Sequence, residues 1–236
     1  MSALHASLLE SPILAIALTL AAYLGGMALF ERLGRPSWCP AVLIAAVVTA
    51  ALLWLLDLDY AEYRRNAGWL TLLLGPATVA LAVPLYQQRH HIRDLWRTIL
   101  LCLPLAALLA AFYSVFLVWL LGAPPEIMAS LAPKSVTAPI AIGIVEQIGG
   151  SLSLMLGGLL ITGVLSTIFV ALLARLMKIT DPRILGFVLG VNGHAIGTIR
   201  AFEIGPTAGA FASLGMSLTG VFSALFLPLA WRLLGW

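Results

Sequence analysis

The stretch SLAPKSVTAPIAIGIVEQIGG, residues 130–150, decides how this chain is read. Pro133 and Pro139 bracket Lys134, Ser135 and Thr137, and Glu146 follows. The sequence on either side is almost purely apolar. Proline removes a backbone donor and disrupts helix near itself. Inside a bilayer, backbone released in this way is tolerated only where protein covers it or where it lines a water-filled cavity. The segment therefore marks either an architectural turn or a functional centre.

The surroundings settle the environment. Of 236 residues, 61% are hydrophobic and 10% charged, and the mean hydropathy is +1.04. Soluble domains are about 45–50% apolar and about 25% charged. Apolar runs at about 12–30, 37–56, 68–87, 95–121, 151–176 and 207–234 approach or exceed the roughly 17–25 residues of a spanning helix. Lipid offers no water to the backbone, so each run is expected to be helical. The expected fold is an all-α polytopic membrane protein with about six full spans. Two interrupted segments, 131–150 and 184–204, are expected to be broken or re-entrant. No long polar stretch leaves room for a soluble module, so residues 1–236 read as a single transmembrane domain.

Other classes fall away. The formal charge of +3 is spread over short loops, which does not make a nucleic-acid footprint. Cys39 and Cys102 lack metal-type or CxxC spacing and read as packing residues. The opening MSALHASLLE has no basic n-region, so the first run reads as retained and not as a cleaved signal. No nucleophile elbow, metal-ligand cluster or phosphate loop appears, so neither an enzyme nor a cofactor is expected. The seven tryptophans lie near the ends of the runs, as interfacial anchors do.

Basic residues orient the runs. Arg32 and Arg35, then Arg89, Arg93 and Arg97, then Arg175, Lys178 and Arg183 mark the cytoplasmic loops. Two crossings, 95–121 and 151–176, already separate the second loop from the third. Segment 131–150 must then add no net crossing: it enters and returns, or lies as a broken half-helix. Segment 184–204 takes the same reading. LGPATVA at 74–80 also echoes LAPKSVT at 131–137, each with a second proline after it, Pro84 or Pro139. Paired proline-interrupted segments are a pointer to a transporter binding site and allow an internal repeat.

Two clusters carry candidate chemistry. A broken helix exposes an N-terminus with free amides and partial positive charge. Lys134 adds a full charge beside the hydroxyls of Ser135 and Thr137, which is what a small carboxylate needs. The competing reading lets Lys134 snorkel to the headgroups. In GFVLGVNGHAIGTIRAFEIG, 186–205, Gly186, Gly190, Gly193 and Gly197 would form one smooth stripe on a straight helix. Asn192, His194, Thr198 and Arg200 lie among or just after them. An ionisable group at membrane depth costs roughly 2.5–3.5 kcal/mol and usually faces a cavity or a partner. Arg200 suits a two-pronged carboxylate contact, and His194 suits hydrogen bonding or proton transfer. Each has a plainer alternative, His194 as an interhelical hydrogen bonder and Arg200 as an anchor. Glu146 and Glu203 are candidates for proton coupling, or for pairing with Lys134 and Arg200.

With those residues in hand, the chain resembles the LrgB/CidB family of bacterial membrane proteins. The resemblance rests on LGPATVALAVPLY (74–86), PPEIMASLAPKSVTAPIA (124–141), EQIGG (146–150), GHAIGTIRAFE (193–203) and GAFASL (209–214). It covers nearly the whole chain in matching order. It implies a multi-pass protein of the bacterial cytoplasmic (inner) membrane, with a separate LrgA/CidA-like, holin-like membrane partner. It also implies one of two roles. Some relatives are implicated in transport of small monocarboxylates such as glycolate, glycerate and pyruvate. Others are described as antiholin-like regulators of murein hydrolase export and autolysis. The chain departs from the family pattern at Gly193, at Ile199 and at Ser151–Ser153, which bears on substrate identity.

The expected function is therefore transport of a small monocarboxylate. The expected site combines Pro76 and Thr78 with Lys134, Ser135, Thr137, Asn192, His194, Thr198 and Arg200. His194, then Glu146 and Glu203, are the proton-coupling candidates. A homo-oligomer or a complex with the partner is expected. The alternative is the antiholin-like regulator, with the glycine stripe as its docking face.

Overall fold

The computed structural model describes residues 11–235 except 37, 81 and 88. Among these residues the regular structure is helical, with no strand. They fall into two compact units, residues 1–82 and 83–236.

The first unit holds α1 (Pro12–Arg32), α2 (Ala41–Leu55), α3 (Tyr60–Ala67), a 3-10 turn (Gly68–Leu73) and α4 (Leu74–Ala80). Gly26 lets α1 meet α2 closely, because a Cβ there would stand 3.0 Å from the Ala41 oxygen. Phe30, Ala41 and Ile44 form the buried contact. Asp59 starts α3 by accepting the Glu62 N–H at 3.0 Å, and the hydroxyls of Thr19 and Tyr63 tie α3 to α1 at 2.7 Å.

The apolar run 68–87 does not begin as α-helix: the 3-10 turn covers Gly68–Leu73, and helix follows over Leu74–Ala80 and over α5 (Ala82–Gln87). Pro76 stands third in α4, in the first turn, where proline's missing N–H has no bond to lose. The two echo stretches also differ locally: 74–80 is helical, whereas 132–137 is not.

The second unit holds α6 (Arg89–Leu120), α7 (Pro125–Leu131), α8 (Ala138–Ile148), α9 (Leu152–Leu176), α10 (Pro182–Ile204) and α11 (Pro206–Leu233). Together with α1, the helices α6, α9, α10 and α11 are long and apolar enough to cross a membrane. This is an all-α, multi-pass membrane protein. Its main core draws Met128 from α7, Val136 from the α7–α8 link, Ile144 and Val145 from α8, Met155 and Leu159 from α9, and Leu227 and Trp231 from α11. Trp231 is buried there, unlike Trp38, Trp54, Trp69, Trp96 and Trp119, which are exposed as interfacial anchors would be.

The opening segment returns to its start. After α7 the chain makes tight turns, Lys134 N–H to the Leu131 oxygen at 3.3 Å and Val136 N–H to the Pro133 oxygen at 3.2 Å. Thr137 is extended and α8 begins. α8 stops at Gly149, whose left-handed φ of 79° suits glycine. The Ser151 N–H then donates to Ser130 Oγ at 2.7 Å, and a Cβ on Gly150 would stand 2.7 Å from the Ser130 nitrogen. The two ends of the stretch meet, so it adds no net crossing.

α10 is also doubled back. His194, at φ 41° and ψ −129°, breaks it into two halves. In a straight helix, residues 189 and 197 would lie about 12 Å apart. Here a Cβ on Gly197 would run into the Leu189 oxygen, and Leu189 and Ala201 share one core cluster. The first half runs parallel to α11, with Gly186 against Ala208 and Gly190 against Ala212. The second half runs antiparallel to it, with Thr198 beside Met216 and Phe202 beside Gly209. The segment is long enough to span, yet it is a hairpin with its tip at Gly193–His194.

Candidate functional site: two hairpin tips

Lys134 lies at the tip of the first hairpin and is 7% exposed. Its Nζ donates to Tyr113 Oη of α6 at 2.6 Å and to Ser135 Oγ at 3.1 Å. It also stands 4.2 Å from the centroid of the Tyr113 ring, a cation–π contact. An ammonium carries three donors, so the third N–H remains unspent. No carboxylate among the described residues pairs with it; the ion pairs there are Arg35–Glu31, Arg65–Glu62, Arg183–Asp181 and Arg200–Glu203.

His194 lies at the tip of the second hairpin, 5% exposed. Its Nε2 is 2.9 Å from the Leu159 oxygen of α9. Gly163, one turn on, makes room for the ring: a Cβ there would stand 3.1 Å from His194 Cε1. Leu159 also packs in the core cluster that holds Val136 of the first tip, so both tips are seated on the same stretch of α9. The Thr198 hydroxyl donates to the His194 carbonyl at 2.8 Å and also meets Met216 Sδ at 3.5 Å.

Two helices start at these tips. α8 begins after Thr137, whose side chain makes no cap bond, and the second half of α10 begins after His194. The first amides of a helix have no intrahelical partner. Both starts therefore carry partial positive charge and open N–H groups, beside a full cation on Lys134. This favours a small anion.

The other candidate residues are spread more widely. Ser135 is buried at the first tip, and Thr137 is half-buried. Asn192 is half-buried, its amide donating to the Val188 oxygen at 3.0 Å. Arg200 pairs with Glu203 at 2.5 Å near the far end of α10, the pairing open to them from sequence. Glu146 is exposed toward the C-terminal end of α8. Pro76 and Thr78 are carried by α4 in the first unit, Pro76 exposed, and the side chain of Thr78 lies outside the described residues.

The glycines do not form one stripe, because α10 folds on itself. Gly186 and Gly190 face α11, Gly193 faces Ser166 of α9, and Gly197 faces Leu189 within α10. All four are buried, so they pack this fold internally and do not form an open docking face.

Sequence reasoning missed two contributors. Tyr113 had a signal, since a Tyr-Ser pair interrupts the apolar run 95–121. The Leu159 carbonyl had none.

The chain was compared with known proteins. The LrgB-like family profile matches residues 19–233. An uncharacterized protein of Haemophilus influenzae is 32% identical over 191 residues, covering 81% of this chain and 83% of the relative. Antiholin-like protein LrgB of Bacillus subtilis is 30% identical over 230 residues, covering 95% and 97%. Holin-like protein CidB of Staphylococcus aureus is 30% identical over 217 residues, covering 92% and 94%. No solved structure matches the chain. The profile spans both hairpins, and the relatives are matched over most of their length: the chain belongs to the LrgB-like family.

Proposed function

We propose that this chain belongs to a holin/antiholin-type membrane system and that its two hairpin tips bind and pass a small monocarboxylate. One observation carries the transport part: a buried ammonium held only by neutral oxygens, with one donor unspent, beside two open helix starts. A small carboxylate supplies both the missing charge and the missing acceptors. In this reading Lys134 offsets the substrate charge. Ser135 and Thr137 orient the substrate, and the His194 ring nitrogen not engaged with Leu159 is the site for a coupled proton. Glu203 is spent on Arg200 and Glu146 is exposed, so neither takes that role. The protein acts as a carrier, without enzymatic chemistry, in the cytoplasmic membrane of a bacterium.

The second reading is favoured by the names of the relatives, which bear on it more directly than on transport. There the chain is an antiholin-like regulator of murein hydrolase export and autolysis, working through an LrgA/CidA-type membrane partner. Counterflow of labelled pyruvate, glycolate and glycerate in proteoliposomes, with and without that partner, separates the two. Saturable exchange that disappears in Lys134→Gln supports transport. Absence of exchange under both conditions, with the partner co-purifying, supports regulation.

A further inference from the structure

A groove of about 500 Å³ lies between α6 and the start of α10, with Phe211 of α11 completing its lining. Leu95, Ile99 and Ala106 form one wall, on one face of α6 by their helical spacing. Phe187 and Val188 form the other. Its size and apolar lining are those of a ligand pocket. Neither Lys134 nor His194 is among the residues that line it.

The charge of this groove sits at one end. Asp181 and Arg183 line it where α10 begins. Arg183 Nε donates to the two Asp181 oxygens at 3.0 and 3.1 Å, and Nη2 donates to Oδ2 at 2.6 Å. The Arg183 backbone N–H takes Oδ1 at 2.8 Å. The carboxylate is thus engaged on both oxygens. A guanidinium has five N–H donors, and Arg183 Nη1 makes no hydrogen bond within the described residues. The pair is half-exposed, so Nη1 is open to a ligand at the mouth. The neighbouring sequence adds positive charge: Arg93 and Arg97 stand on either side of Asp94 and Leu95 on α6, and Arg175 and Lys178 precede Asp181. Trp96 is exposed beside Leu95, as tryptophans at headgroup level are. Basic pockets between spanning helices at the cytoplasmic face suit anionic lipid headgroups. We propose that the groove holds one anionic phospholipid of the cytoplasmic leaflet, its phosphodiester on Arg183 Nη1 and an acyl chain along α6 from Leu95 to Ala106. Asp181 is a positioning residue that fixes the plane of the guanidinium. This inference does not depend on the carboxylate reading of the hairpin tips.

The test is native mass spectrometry of the full-length protein in detergent, with phosphatidylglycerol and phosphatidylcholine of identical acyl chains. The native protein should retain one phosphatidylglycerol, preferred about fivefold over phosphatidylcholine, the weight of one basic residue against an anionic headgroup. Arg183→Gln should bring the two lipids to within about twofold. Asp181→Asn keeps the arginine and removes the competing carboxylate, so it should hold or strengthen the preference. Both variants break the same half-exposed ion pair, which contributes little to stability, so their opposite outcomes separate recognition from folding. Ala106→Phe should fill the groove and displace both lipids while the unfolding temperature holds. Glycerol 1-phosphate, a headgroup without chains, should not compete at the lipid's concentration. Equal retention of the two lipids by the native protein, an unchanged preference in Arg183→Gln, undiminished retention in Ala106→Phe, or competition by glycerol 1-phosphate overturns the inference.

Discussion

His194 Nε2 reaches the Leu159 carbonyl oxygen at 2.9 Å across the smooth face that Gly163 leaves on α9. A carbonyl only accepts, so Nε2 carries the proton and Nδ1 is the free ring nitrogen of the neutral histidine. The contact fixes the second hairpin tip to α9. A methyl at Gly163 would press on the Ile196 side chain and on the His194 ring. Gly163→Ala should cost about 1–3 kcal/mol, as overpacking of a well-filled interior does. Thermal unfolding in detergent checks this, and an unchanged midpoint would mean that the tip is not seated on α9 in this way.

Lys134 poses a trade-off between stability and function. A buried charge held by neutral groups is not repaid by an ion pair, and an apolar replacement of similar shape is often stabilising. Lys134→Met should therefore raise the unfolding temperature and abolish carboxylate exchange. Tyr113→Phe keeps the ring under the ammonium but removes the oxygen at 2.6 Å. It should cost about 1–3 kcal/mol of stability, the penalty for leaving a buried donor unpaired. Retained exchange in Lys134→Met would remove the lysine from the site.

The buried glycines of α10 separate internal packing from partner docking. A leucine at Gly190 would meet the Ala212 backbone of α11, and backbone cannot swing aside. Gly190→Leu should therefore prevent stable folding whether or not a partner is present, and membrane yield and detergent unfolding both read this. A normally folded Gly190→Leu protein that has lost only its partner would restore the docking-face reading.

Much of this architecture was legible in the sequence because polar residues in an apolar chain are expensive and so are informative. Pro133, Lys134 and Pro139 located the first break, whereas the second was expected only as an interruption within 184–204, and its place at His194 came from the structure. The balance of arginines and lysines between loops required the first segment to return to its start, which the Ser130–Ser151 contact bears out. The glycine stripe misled because a spacing of three and four implies a shared face only while the helix stays straight, and His194 bends it. The run 68–87 misled because composition gives no sign that its first six residues form a 3-10 turn.

Ser130 closes the first hairpin with two bonds: its Oγ accepts the Ser151 N–H at 2.7 Å and its hydroxyl donates to the Glu126 oxygen at 2.7 Å. The residue is fully buried, so water cannot replace what is lost. Ser130→Ala leaves the Ser151 amide without its acceptor and should destabilise by about 1–3 kcal/mol. Gly150→Ala should act at the same junction by a different route, its methyl meeting the Ser130 backbone. Because both residues hold the base of the hairpin and neither is at its tip, the surviving folded fraction should keep its affinity for carboxylates while the unfolding temperature drops. Ligand affinity measured per folded molecule decides the matter. A large loss of affinity in Ser130→Ala with unchanged stability would mean that the base, and not the tip with Lys134, holds the ligand.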